Sequence, residues 1–175
     1  MASERAFVTS AVNGMIIAIT FASCILLFAT RNWILAGIAV GCVSIVIVSV
    51  VAIMAMQGWE FGVSESISVV ILIGLSVDYV VHLASDYRHS AEQSRSDKMK
   101  QAYKEMGVSI LSGTITTFGS GIFLFGGQVV TFKKFSILIT STITISFLTS
   151  MVLFGALMHT IGPEDGKGDL QNCFK

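Results

Sequence analysis

The sequence predicts an all-α protein, a polytopic membrane bundle of five helices. Composition is the first reason. The 175-residue chain is 53% hydrophobic and 13% charged, with a mean hydropathy of +0.78, whereas a soluble domain carries about 25% charged residues. The second is length: five apolar stretches approach or exceed the roughly 20 residues that cross a bilayer. The third is punctuation, because polar residues cluster in brief segments between those stretches.

Residues 7–29 form the first predicted span and 33–56 the second. Only Thr30, Arg31 and Asn32 separate them, which demands a tight helical hairpin. Residues 57–65 are a short polar link, with Trp59 at the depth where indole rings favour the interface. The third span covers 66–85 and the fourth 107–128. Between them lies the longest polar segment, 86–106. Its Met99, Ala102, Tyr103 and Met106 recur at helical spacing behind Ser96 and Asp97, which suit caps. This pattern fits a short interfacial helix, and equally a solvated loop with chance periodicity. The fifth span, 135–161, ends at Gly162 and Pro163, the sole proline, as a helix stop should. Residues 1–163 thus form one membrane domain and 164–175 a polar tail.

Basic residues set the expected orientation. Arg5, Lys133 and Lys134 fall on one side. Arg31, Arg88, Arg95, Lys98, Lys100, Lys104, Lys167 and Lys175 fall on the other. The richer side is expected to be cytosolic, which puts the N-terminus outside and the C-terminus in the cytosol. The apolar run behind Met1 is too long for the core of a secretory signal. An outward N-terminus without a cleavable leader suits the tail of a longer protein, so a fragment or truncated paralogue is expected.

Zero net charge gives no electrostatic case for nucleic acid. Cys24, Cys42 and Cys173 are odd in number and lack metal-site spacing, so inert thiols and no metal or cofactor are expected. No nucleophile and base pair up, and His82, His89 and His159 are scattered, so no enzymatic activity is expected.

The residue that asks for an explanation is Asp78, deep in the third span. A carboxylate at mid-bilayer costs roughly 2.5–3.5 kcal/mol on insertion scales. Such a group usually faces a bundle interior or water and carries ion or proton traffic. Gly74, Asp78, His82 and Asp86 are spaced by four and share one helix face. Gly74 admits a neighbouring backbone, the His82 imidazole suits a relay, and Asp86 sits at the membrane boundary as an exit. The structural alternatives are a neutral Asp78 bonded to a neighbouring helix, a satisfied polar tip at His82 and a solvated helix end at Asp86. On the fourth span Ser109, Ser112, Thr116 and Ser120 share a face. Its hydroxyls, Thr116 and Thr117 above all, can serve as partners of Asp78, or can bond their own helix while small residues allow close packing. The fifth span spreads its hydroxyls over several faces and reads as packed helix.

The stretch Ile73-Gly74-Leu75-Ser76-Val77-Asp78-Tyr79-Val80-Val81-His82-Leu83 resembles the Gly-x-x-x-Asp span of the RND superfamily, and is closest to its Patched/Dispatched branch. Ser112-Gly113-Thr114-Ile115-Thr116-Thr117-Phe118-Gly119 resembles the next span of that family, and Ile161-Gly162-Pro163 is similar to its end. The resemblance implies an MMPL-like membrane domain, the C-terminal five-span half of an RND transmembrane domain, related to the unit called a sterol-sensing domain. It implies proton- or sodium-coupled export of a lipid or lipid-modified cargo, with Gly74 and Asp78 in the coupling motif. Val77 stands where some members carry a second acid. The other half, which supplies facing acids, is absent from this sequence; a missing N-terminal half or a homodimer would restore it. The alternative is a lipid- or sterol-binding regulatory module without transport.

Overall fold

The computed structural model describes residues 2–59, 62–90 and 94–163. Helix α1 spans Ala2–Thr30, α2 Trp33–Met56, α3 Val63–His89, α4 Arg95–Phe125 and α5 Val130–Leu148. A π-helical turn, Thr149–Phe154, then leads without a break into α6, Gly155–Ile161. Five helical segments are long and apolar enough to cross a membrane, the last being the composite Val130–Ile161.

Helix α3 is the hub. It packs on α1, α2, α4 and α5, and 56% of its most apolar window is buried, against 11% for α1. Its inward face carries Val69, Leu72, Ile73, Val80, Leu83 and Tyr87, all buried. Facing them are Val46 and Met54 of α2, Leu138 of α5 and Phe154 of the π turn. Because lipid tails are as apolar as leucine, close packing and interhelical hydrogen bonds decide which faces meet. Ser146 donates to the Ser76 carbonyl oxygen at 3.2 Å, a buried link from α5 to α3. Ser136 donates to the Gly121 carbonyl at 2.5 Å. A Cβ on Gly121 would come within 2.7 Å of Thr140 Oγ1, so that α4 position must remain a glycine for α5 to lie so close.

The α1–α2 hairpin is as tight as the sequence requires. Arg31 adopts φ 48°, the left-handed region that reverses a helix end. Asn32 caps α2, its Oδ1 accepting from the Ile34 and Leu35 amides at 3.0 and 3.2 Å. At the opposite end, Lys134 Nζ lies 2.7 Å from Glu65 Oε1 and 5.3 Å above the Trp59 ring. This cluster ties the α2–α3 link to the start of α5.

Several predicted boundaries change. The described residues of 86–106 form neither a separate interfacial helix nor a solvated loop over Met99–Met106: α4 begins at Arg95 and runs unbroken into the fourth span. Met99 and Ala102 are buried, and Tyr103 donates its hydroxyl to the Met151 carbonyl inside the π turn. The predicted face is therefore real, but it packs on protein. Ser94 takes the N-cap position instead of Ser96 or Asp97, and Asp97 instead pairs with Lys100 at 2.9 Å. The fourth span ends at Phe125, short of 128, and the fifth begins at Val130, ahead of 135. The tail 164–175 lies outside the described residues.

Candidate functional site

Asp78 and His82 are neighbours on α3, with Oδ1 and Nε2 3.3 Å apart. One helical turn separates them, which brings side chains at i and i+4 together. Gly74 continues the line one turn further, and nothing stands within 4 Å of where its Cβ would be. Asp86 continues it the other way, close enough to His82, His89 and Glu105 to feel their charges. The sequence-predicted stripe is thus a physical feature of α3.

Its surroundings differ from those the sequence suggests. A carboxyl held in a seam between helices is not what the five helices build. The Asp78 side chain is 67% exposed and that of His82 52% exposed. The reason is the orientation of α3, which spends its apolar face on the other four helices and turns the polar stripe outward. Beside the stripe runs a groove of about 400 Å³ between α1 and α3, lined by Ala18, Phe21, Ile25, Val70 and Val81 and bordered by Gly74 and Asp78.

Thr116 and Thr117 do not reach Asp78. Thr116 donates to the Ser112 carbonyl at 2.9 Å and Thr117 to the Gly113 carbonyl at 2.8 Å. Ser120 likewise bonds the Thr116 carbonyl at 2.9 Å. These hydroxyls satisfy their own helix, the usual refuge of Ser and Thr in an apolar medium. Thr116 is nevertheless exposed and Thr117 half-buried. Ser76 was not readable as a site residue. It is buried two positions before Asp78, and its carbonyl receives the Ser146 hydroxyl. Only the contact across helices reveals it.

Chemically, the stripe offers a carboxylate and an imidazole within reach of one proton. No group of three His, Cys, Asp or Glu that would hold a metal occurs among the described residues. In lipid an outward ionised Asp78 is costly, so the stripe suits a polar or aqueous cover.

Residues 4–171 match the MMPL family. Among curated proteins the chain is 31% identical to Protein dispatched homolog 3 of Gallus gallus, over 96% of this chain and 13% of that protein. It is 26% identical to Protein dispatched homolog 1 of Mus musculus, over 90% of this chain and 10% of that one. It is 25% identical to NPC1-like intracellular cholesterol transporter 1 of Rattus norvegicus, over 68% of this chain and 9% of the relative. The chain therefore spans about an eighth or less of the length of these relatives. With five bilayer-length apolar helices, it is an integral multi-pass membrane protein, and it belongs to the MMPL family, in the Patched/Dispatched branch of the RND superfamily.

Proposed function

We propose that this chain is one membrane half of an RND-type transporter that exports a lipid or lipid-modified cargo, driven by a proton or sodium gradient. Asp78 is the coupling acid, Gly74 the point of close approach, His82 the proton partner, and Thr116 and Thr117 polar groups on the next helix. The supporting observation is the outward Asp78–His82 pair, 3.3 Å apart, in a helix otherwise apolar enough to span a bilayer. Such a face makes sense when another polar membrane surface lies against it. That cover is a second copy of the chain or the other half of a longer protein. The basic-rich end faces the cytosol in this reading, and the N-terminus faces out.

The test is gradient-driven transfer of a labelled lipid in proteoliposomes, with the chain in its full-length context. Asp78→Asn should abolish transfer without lowering expression, and unchanged transfer would remove the coupling role. Gly74→Cys, with Cys24, Cys42 and Cys173 replaced by Ser, reports the cover, since oxidation then links two copies only where the stripes of two chains meet.

The groove beside α3 favours a second reading, a lipid- or sterol-binding regulatory module. Photo-crosslinking with a sterol probe separates the two. Labelling of the groove that persists in Asp78→Asn, without any gradient-driven transfer, supports the module.

A further inference from the structure

The α1–α3 groove does not end in apolar residues. Following α1 past Phe21 and Ile25 leads to exposed Phe28, and then into a second, polar cavity of about 610 Å³. Phe28, Ala29, Thr30, Arg31, Arg88 and His89 line it. Both cavities lie between the same two helices. The first is apolar over the middle of the spans, and the second is basic where the apolar run of α1 stops and that of α2 begins.

We propose that these two cavities, which follow one another along α1 and α3, together bind one anionic phospholipid. An acyl chain lies along Phe21, Ile25, Val70 and Val81, and the head-group phosphate sits on Arg31 and Arg88 beside His89. The proposal shares the groove with the second reading above, adds a head-group site to it, and does not depend on ion coupling at Asp78.

Charge and shape support this occupant. Among the described residues, the basic cavity and the adjoining one formed by Asn32, Leu35, Tyr87, Arg88, Lys98 and Pro163 are lined by no carboxylate. Arg88 Nε donates to the Thr30 carbonyl at 3.2 Å, which answers the negative end of α1 and fixes the guanidinium in the cavity wall. The Arg31 side chain has no hydrogen bond or ion pair with any described residue. Its backbone is left-handed, a conformation that glycine adopts freely and arginine does not. Basic pockets between membrane helices take phospholipid head groups, and exposed Phe28 supplies the apolar wall beneath such a head group.

The test uses the whole chain in detergent. Dioctanoyl phosphatidylserine is titrated in, with dioctanoyl phosphatidylcholine as control, and native mass spectrometry reads the dissociation constant of the first lipid bound. Phosphatidylserine should bind more tightly than phosphatidylcholine. Arg31→Gly should weaken the serine lipid about fivefold, the contribution of one basic side chain near a membrane surface. Its unfolding midpoint should stay at or above that of the wild type, so weaker binding there is not lost folding. Lys100→Gln, which removes a cation already paired with Asp97, should leave binding unchanged. Equal affinity for the two lipids would overturn the proposal. So would unaltered binding in Arg31→Gly, or an equal loss in Lys100→Gln. A sterol probe that still labels the groove in Arg31→Gly would leave the regulatory module standing, so the two readings fail separately.

Discussion

Tyr103 of α4 donates its hydroxyl to the backbone carbonyl of Met151, joining the polar end of one membrane helix to the π turn of another. A π turn widens the helix by one residue and disturbs the regular carbonyl pattern. Here a side chain from outside the helix occupies an acceptor within that turn. Gly155 makes room for it, because a Cβ at that position would collide with the Tyr103 ring end.

The two residues should therefore respond differently to substitution. Tyr103→Phe removes one hydrogen bond and costs about 1 kcal/mol. Gly155→Ala pushes the ring off its seat and costs about 2–3 kcal/mol, as overpacking does. Thermal unfolding in a mild detergent checks the order. The Gly155→Ala loss should shrink in a Tyr103→Ala background, where the obstructing ring is gone.

The Lys134–Glu65 pair gives a second prediction. Glu65 is buried and bonded at 2.7 Å, with the Trp59 ring beneath the ammonium. Lys134→Met strands a buried carboxylate and should cost about 3 kcal/mol, the usual penalty for breaking such a pair. Adding Glu65→Gln should restore most of the loss. Unfolding midpoints of the single and double variants form the cycle that decides this.

The hairpin gives a third. Asn32→Ala removes the oxygen that receives two amides and should lower stability by about 1 kcal/mol. Arg31→Gly relieves the left-handed backbone and should raise it by up to about 1 kcal/mol. The opposite signs at adjacent positions make chemical denaturation a direct check on the hairpin geometry.

The fourth concerns the polar stripe. Thr116 and Thr117 bond only their own helix carbonyls, and Asp78 bonds only along its own helix turn. Thr116→Val, Thr117→Val and Asp78→Asn should each leave unfolding within about 0.5 kcal/mol of wild type, as surface changes do. Any loss of gradient-driven lipid transfer in these variants then reports function. A loss in Thr116→Val would mean that the hydroxyl turns toward Asp78 during a cycle.

Much of the fold was legible from residue type. Helix α2, Trp33–Met56, lies where hydropathy places it. Helices α1 and α3 overrun their apolar cores, because a helix needs only the absence of breakers to continue, while hydropathy sees only the greasy portion. The same physics merged 95–106 with the fourth span: Lys100, Gln101 and Lys104 are good helix formers, and no proline or loop intervenes. The π turn left no trace in the sequence, since Thr149–Phe154 has the same character as the turns around it. At the site, spacing by four placed His82 beside Asp78. Their exposure was not legible, because it depends on which face of α3 the other helices claim. The α5–α3 link through Ser76 was hidden for the same reason.

An unbroken α4 has a mechanical consequence. Its 31 residues make a rod about 46 Å long at 1.5 Å per residue, well beyond the roughly 30 Å of hydrocarbon. One end carries Lys100 and Lys104 in water, and the other carries Gly121 pressed against α5. With no joint between them, a tilt imposed on the wet end is delivered as a displacement at the far side of the membrane. Anything that grips the projecting turns holds a lever arm.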